Sequence, residues 1–271
     1  TSIRDAVLDE LYLAFFVSLF AGLIGSMVGV GGGIINGPYL SFLNYFPSQI
    51  SATSLIAVLS TSISSSIQYL RRGLIQTKIG LTLAIFSIPG TIVGVHISNN
   101  FSLEQFRYLF GVILLSTAIY LLVRPKLYKK SHSKFDSNAN SEHFHIRNIR
   151  IVLLVTLSFI AGIISSSFGV GGGIIFVPCL IMLMNFTVKS STATSQFALI
   201  FTSISGLIIF VMQGRPDYQM GLVLSLGGII GGALGSQLSL RMNSSFILKM
   251  FSGLLVIVSL KLIYDGMILQ E

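Results

Sequence analysis

Glycine is the residue type that equips this chain to bind something. The string GVGGGII occurs twice, at 29–35 and 169–175, and each copy runs on to a proline, Pro38 or Pro178. A helix that starts just past such glycines presents backbone N–H groups without partners and the positive end of its dipole. That combination holds an anion without any Lys or Arg. Two copies related by symmetry would aim two helix starts at one point, so Gly31, Gly32, Gly33, Gly171, Gly172 and Gly173 are candidate substrate contacts. The bland reading of glycine in apolar helices is close helix packing. Gly90, Gly94, Gly231 and Gly235 fit it well. The GGG strings differ because each also interrupts a helix. A nucleotide phosphate loop does not fit, since no lysine follows and no strand precedes.

Hydroxyl and amide side chains cluster downstream of both strings. Asn36, Thr53, Ser54 and Thr61 in the first half, and Thr194, Ser195, Gln196 and Thr202 in the second, could hydrogen-bond sulfonate or carboxylate oxygens. The competing role for each is a bond back to its own helix or to a neighbour. SATS at 51–54 answers TATS at 192–195 in the same place of each half, which favours a shared role. Other chemistries are poorly supplied. The predicted helix cores hold no Asp or Glu, which disfavours a carboxylate proton relay. HExxH, GxSxG and paired acids are missing, so no enzyme is expected. His132, His143 and His145 are irregularly set in a polar stretch and do not suggest a metal, and His96 reads as a packing residue near a helix end. Cys179 is a lone cysteine in an apolar run. No cofactor is implied.

The elements that must position these residues are membrane helices. The 271 residues are 52% hydrophobic and only 10% charged, too few charges to clothe a soluble surface. After Glu10 no charge appears until Arg71, and none lies between Arg150 and Lys189. Gaps of that size suit a hydrocarbon core that needs about 20 apolar residues per helix. The repeat extends beyond the glycines, with TSIS at 61–64 matching 202–205, Gly73 matching Gly214, and Arg107 and Gly111 matching Lys249 and Gly253. The organisation expected is a first repeat at 1–123, a basic cytoplasmic linker at 124–149 and a second repeat at 150–271. The stretch 124–150 holds seven Lys/Arg against Asp136 and Glu142, which follows the positive-inside rule and does not require nucleic acid.

Helices are expected at 8–28, 33–46, 50–70, 78–98 and 104–123, and at 150–168, 173–186, 190–212, 218–239 and 246–266. The fold class is thus all-α integral membrane, with about ten transmembrane segments as two five-helix inverted repeats and a short broken helix after each GGG. Both termini would then face outside. The alternative is eight spans plus two re-entrant segments, and charge counting does not separate the two.

GVGGGIINGPYL at 29–40 and GVGGGIIFVPCL at 169–180, in two halves of a chain of this length, resemble the TauE/SafE family of membrane transporters. The resemblance covers about 10–266. It implies a polytopic sulfite or organosulfonate exporter, or a related anion permease, with its substrate site between the repeats. Carried over by position, it points to Gly31, Gly32, Gly33, Asn36 and Pro38, and to Gly171, Gly172, Gly173 and Pro178. Asn36-Gly37 is replaced by Phe176-Val177 in the second half, so the two sites are unequal. The expectation is a multi-pass cell-membrane transporter that exports a small anion by alternating access. An anion importer, a cation-coupled permease and a membrane protein without transport activity are the alternatives. The partners expected are that anion, membrane lipid and a second copy of the chain, with no nucleic acid.

Overall fold

Residues 3–132, 143–241 and 244–268 are described by a computed structural model. Their regular structure is ten helices: α1 (Ile3–Val28), α2 (Gly33–Phe42), α3 (Pro47–Arg71), α4 (Thr77–Asn100), α5 (Leu103–His132), α6 (His143–Phe168), α7 (Gly173–Met184), α8 (Val188–Met212), α9 (Tyr218–Arg241) and α10 (Ser244–Ile268). Five segments are long and apolar enough to span a membrane: Asp9–Val28, α3, α4, α8 and α9. Val152–Phe168 and α7 are shorter apolar helices. The basic linker expected at 124–149 lies outside the residues whose side chains are described.

Local chemistry sets the boundaries. α3 starts at Pro47, because the fixed φ of proline suits a first helical position. The short helices end earlier than the sequence suggests. Asn44, just past α2, and Asn185, the C-cap of α7, adopt left-handed φ of 60° and 54° and turn the chain. Gly73 and Gly214, each at φ 65°, close the turns after α3 and α8. α5 runs on to His132, past the expected 123.

The two halves interleave. A methyl group on Gly231 of α9 would strike the Leu19 carbonyl of α1, and one on Gly235 the Leu23 carbonyl. In the same way Gly90 and Gly94 of α4 lie on the Phe159 and Ile163 carbonyls of α6. Each half therefore lays its first helix on the fourth helix of the other. α9 also follows α3, with Gly221 on Ile56 and Gly228 on Thr61, so α1, α3 and α9 all run the same way. α4, α6 and α8 are mutually parallel as well, since Ser87 meets both Gly162 and Thr202 and Thr91 meets Ser205 a turn further on.

α3 and α8 cross in opposite directions at the centre. Ser62 bonds Gln196 at 3.1 Å, while Leu55 lies against Gly206. α5 and α10 are antiparallel too, because Gly111 faces Ser259 while Gly266 faces Glu104.

Charge is sorted to the two ends. Lys189 Nζ donates to Leu240 O at 3.1 Å and Ser190 Oγ to Leu74 O at 3.0 Å, which gathers Arg71, Arg72, Lys78, Lys189 and Arg241 at one end. The opposite end mixes both signs: Tyr45 bonds Asp217 at 3.0 Å and Tyr39 bonds Glu10 O at 3.3 Å, with Glu104 and Asp265 nearby and Arg107, Arg215 and Lys261 among them. Among the described residues no carboxylate lies at the basic end. The outward faces between the ends are apolar, with Phe16, Ile85, Ile92, Leu222 and Leu226 exposed.

Candidate functional site

The first glycine turn is wound around one carbonyl. Gly25 O accepts the N–H groups of Gly29 at 2.9 Å, Val30 at 2.9 Å and Gly31 at 3.2 Å, and the Gln196 side-chain amide at 2.9 Å. Gly29 at φ 88° and Gly31 at φ 70° need glycine's freedom to do this. In the second turn Gly169, Gly171 and Gly172 take positive φ and the Val170 N–H donates to Ser165 O at 3.2 Å.

The turns lie face to face. A methyl group on Gly33 would strike Gly169 O and Val170, and one on Gly173 would strike Gly29 O and Val30. Two serines clamp the pair. Ser54 Oγ donates to Gly169 O at 2.7 Å, and Ser195 Oγ donates to Gly29 O at 2.6 Å. Between the turns sit Val58 and Leu199, each of which would touch a methyl group on either Gly31 or Gly171. The crossing is therefore closed and apolar at its centre.

α2 and α7 both begin at this crossing and run apart. α2 ends beside Arg107, which donates to Ser41 Oγ at 3.1 Å, Ser41 O at 2.6 Å and Asn44 Oδ1 at 2.9 Å. Among the described residues nothing accepts from the N–H groups of Gly32, Gly33 and Ile34, or of Gly172, Gly173 and Ile174. Two dipole-positive starts thus meet across the crossing, in a region without carboxylates.

Gly31, Gly32, Gly33, Gly171, Gly172 and Gly173 are brought together, with Ser54, Ser195 and Gln196 bonded to the same turns. Asn36 is fully buried beside them. Its Nδ2 donates to Ser18 Oγ at 3.3 Å, Ser18 Oγ donates to Leu224 O at 2.6 Å, and Asn36 Oδ1 has no partner. Four of the expected contacts point elsewhere. Thr53 Oγ1 accepts from the Asp217 N–H at 3.0 Å and Thr194 Oγ1 from the Gln76 N–H at 3.1 Å, so this matched pair fixes the starts of α9 and α4. Thr61 faces Gly228 and Gly232, and Thr202 bonds Ala198 O at 3.0 Å and meets Ser87 Oγ at 3.1 Å. Pro38 and Pro178 lie inside α2 and α7, beyond the first turn.

As site residues, sequence reasoning passed over Gly25, Ser18, Val58 and Leu199, and it took Arg107 only as the repeat mate of Lys249. Val58 and Leu199 are related by the same 141-residue offset as SATS and TATS, so extending the repeat comparison to apolar positions would have found them. His96 is exposed at the end of α4. Among the described residues no three His, Cys, Asp or Glu side chains are grouped to hold a metal.

A family model described as sulfite exporter TauE/SafE matches residues 14–262. The chain is 29% identical to the probable membrane transporter protein YunE of Bacillus subtilis over 92% of its own length and 96% of that relative. It is 27% identical to the probable membrane transporter protein MJ0441 of Methanocaldococcus jannaschii over 92% and 94% of the two chains. It is 24% identical to the probable membrane transporter protein YfcA of Escherichia coli K12 over 94% and 90%. No solved structure matches it.

Proposed function

The chain belongs to the sulfite exporter TauE/SafE family of multi-pass membrane transporters, and we propose that its cargo is a small oxyanion, sulfite or an organosulfonate, moved outward by alternating access. One observation carries this reading. Two short helices start back to back at the glycine crossing, with their first-turn N–H groups free and two serines, a buried asparagine and a glutamine around them. Fixed dipoles and free backbone N–H groups suit a weakly basic oxyanion that must also leave. The closed centre at Val58 and Leu199 is the barrier that a rocking motion would move from one side of the anion to the other.

The architecture behind the reading is two inverted repeats, 1–123 and 150–271, joined by the linker 124–149. The antiparallel crossing of α3 with α8 and of α5 with α10 supports the inversion. The shared direction of α1 and α3 supports five crossings per half, with α2 and α7 as the short ones. The charge asymmetry supports a cytoplasmic basic end and termini outside. Outward movement of an anion from a negative-inside cell runs with the potential, at ~2.3 kcal/mol per charge per 100 mV. Such an exporter needs no coupling ion.

Liposomes containing the protein and loaded with sulfite test this. An imposed inside-negative potential should drive sulfite out, and Asn36→Ala or Ser54→Ala should slow the flux about tenfold. If neither sulfite nor a sulfonate moves or raises the melting temperature in detergent, the cargo assignment fails.

A cation-coupled permease is the second reading, favoured by the carboxylates at the end opposite the basic one. Glu10, Asp217 and Tyr45 line a cavity of about 90 Å³ there. Burial and the bond to Asp217 push the Tyr45 hydroxyl's pKa up, so it stays a donor to that carboxylate. Flux that followed an imposed proton or Na⁺ gradient at zero potential would favour this reading over the uncoupled one.

A further inference from the structure

At the basic end α3 and α9 run side by side, with Ser64 Oγ donating to Ile229 O at 2.7 Å. Toward their ends they flank a cavity of about 410 Å³ lined by Gln68, Arg72, Gln237, Leu240 and Arg241. Both guanidinium groups are exposed, and among the described residues no carboxylate pairs with either, the one ion pair being Lys261 with Asp265. Lys189, bonded to Leu240 O, brings a third cation to the rim.

A cation in the last turn of a helix ordinarily serves the helix dipole. That role does not require two guanidinium groups to converge on one cavity, where they repel. The corresponding place at the other end, reached by the 141-residue offset, has Gln213 for Arg72, His96 for Gln237 and Asn100 for Arg241. Neutral side chains close on each other there, with Asn99 Nδ2 donating to Gln213 Oε1 at 2.9 Å. The cavity and its charge are thus particular to the basic end. The helix faces leading up to it expose Ile63 and Ile67 of α3 and Ile230 and Leu234 of α9, each more than 40% accessible.

We propose that this cavity is a binding site for the phosphate of an anionic glycerophospholipid, held between Arg72 and Arg241. Gln68 and Gln237 donate to its oxygens or to a glycerol headgroup, and its acyl chains run down the apolar faces of α3 and α9. The charge complementarity selects an anion, and the apolar approach selects a lipid over a free ion. α3 also carries Ser54 and Val58, so the lipid would brace a helix of the glycine crossing.

The test uses the full chain in detergent micelles, titrated with phosphatidylglycerol, phosphatidylcholine or inorganic phosphate. Melting temperature and lipid retention by native mass spectrometry are the readouts. Phosphatidylglycerol should raise the melting temperature by several degrees and be retained, whereas phosphatidylcholine and phosphate should do neither. Arg72→Gln and Arg241→Gln should each weaken phosphatidylglycerol about tenfold, while Arg71→Gln, at the same end but outside the cavity, should not. Equal effects of both lipids, unchanged binding in Arg72→Gln and Arg241→Gln, or the same loss in Arg71→Gln would each overturn the proposal. A full shift by phosphate alone would overturn the lipid assignment in favour of a free oxyanion. Every readout is a binding measurement, so failure of the transport reading leaves the test intact.

Discussion

A side chain on Gly33 or Gly173 has no space, because the opposing turn's carbonyl already occupies it. Gly33→Ala and Gly173→Ala should each cost about 1–3 kcal/mol or more through overpacking and lower the melting temperature in detergent. Gly73→Ala and Gly214→Ala form the control. These two glycines share φ 65° but have open space around them, so only the left-handed strain of about 1–2 kcal/mol applies. Equal losses in both pairs would mean that the crossing is not the tight contact described. Arg107 makes a second argument at this scale. Its buried guanidinium serves the C-terminal end of α2 through bonds to Ser41 and Asn44, and hydrogen bonds of charged groups are worth about 1.5–3 kcal/mol each. Arg107→Ala should lower the melting temperature by several degrees and Arg107→Lys by less. These residues were unequally legible. The glycine strings announce themselves because a GGG in an apolar run has few ordinary uses. Arg107 was visible only as a cation repeated at Lys249, with nothing to say what it touched. Val58 and Leu199 were invisible, since an apolar residue among apolar residues carries no local signal of facing a symmetry partner.

Between α3 and α8 the crossing rests on side chains of unequal kind. Toward the basic end, Ser62, Gln196 and Gly25 form a bonded chain. Toward the other end Ser51 Oγ donates to Ser167 O at 2.7 Å and Ser167 Oγ to Gly94 O at 3.2 Å, and buried hydroxyls without partners occur on both sides, Ser66 and Ser191 toward the basic end and Ser165, Ser166 and Ser203 toward the other. Leu199→Ala should cost about 2–5 kcal/mol and, by thinning the barrier, raise passive anion leak in liposomes. A variant that was destabilised yet as tight as the parent would show that the barrier lies elsewhere. The long helices were easy to anticipate because length and apolarity suffice. Their ends were harder. Asn44 and Asn185 end α2 and α7 through backbone conformation, and α5 continues into a basic stretch that reads as a loop by composition alone.

Over the whole molecule, the proposed topology turns the basic end to the cytoplasm. Single cysteines introduced for Lys78 or Arg241 in a Cys179→Ala background should resist a membrane-impermeant maleimide in intact cells. Cysteines for Gln105 or Gln213 should react. Labelling of all four from one side would sink the inverted arrangement. The repeat was legible from the paired motifs, but its interleaving was not, because an offset in sequence does not say which copy's helix lies on which. That interleaving bears on how such a chain could arise. A single half would leave α1 and α4 without the surfaces that receive them, since Gly90 and Gly94 fit α6 and Gly231 and Gly235 fit α1. A half-length ancestor would be complete only as two copies inserted in opposite directions, trading first and fourth helices. In the proposed topology α5 ends and α6 begins at the same face, so fusion of the genes would have needed only a tether between them. Coexpressed halves should accordingly rebuild the protein, while either alone should be degraded.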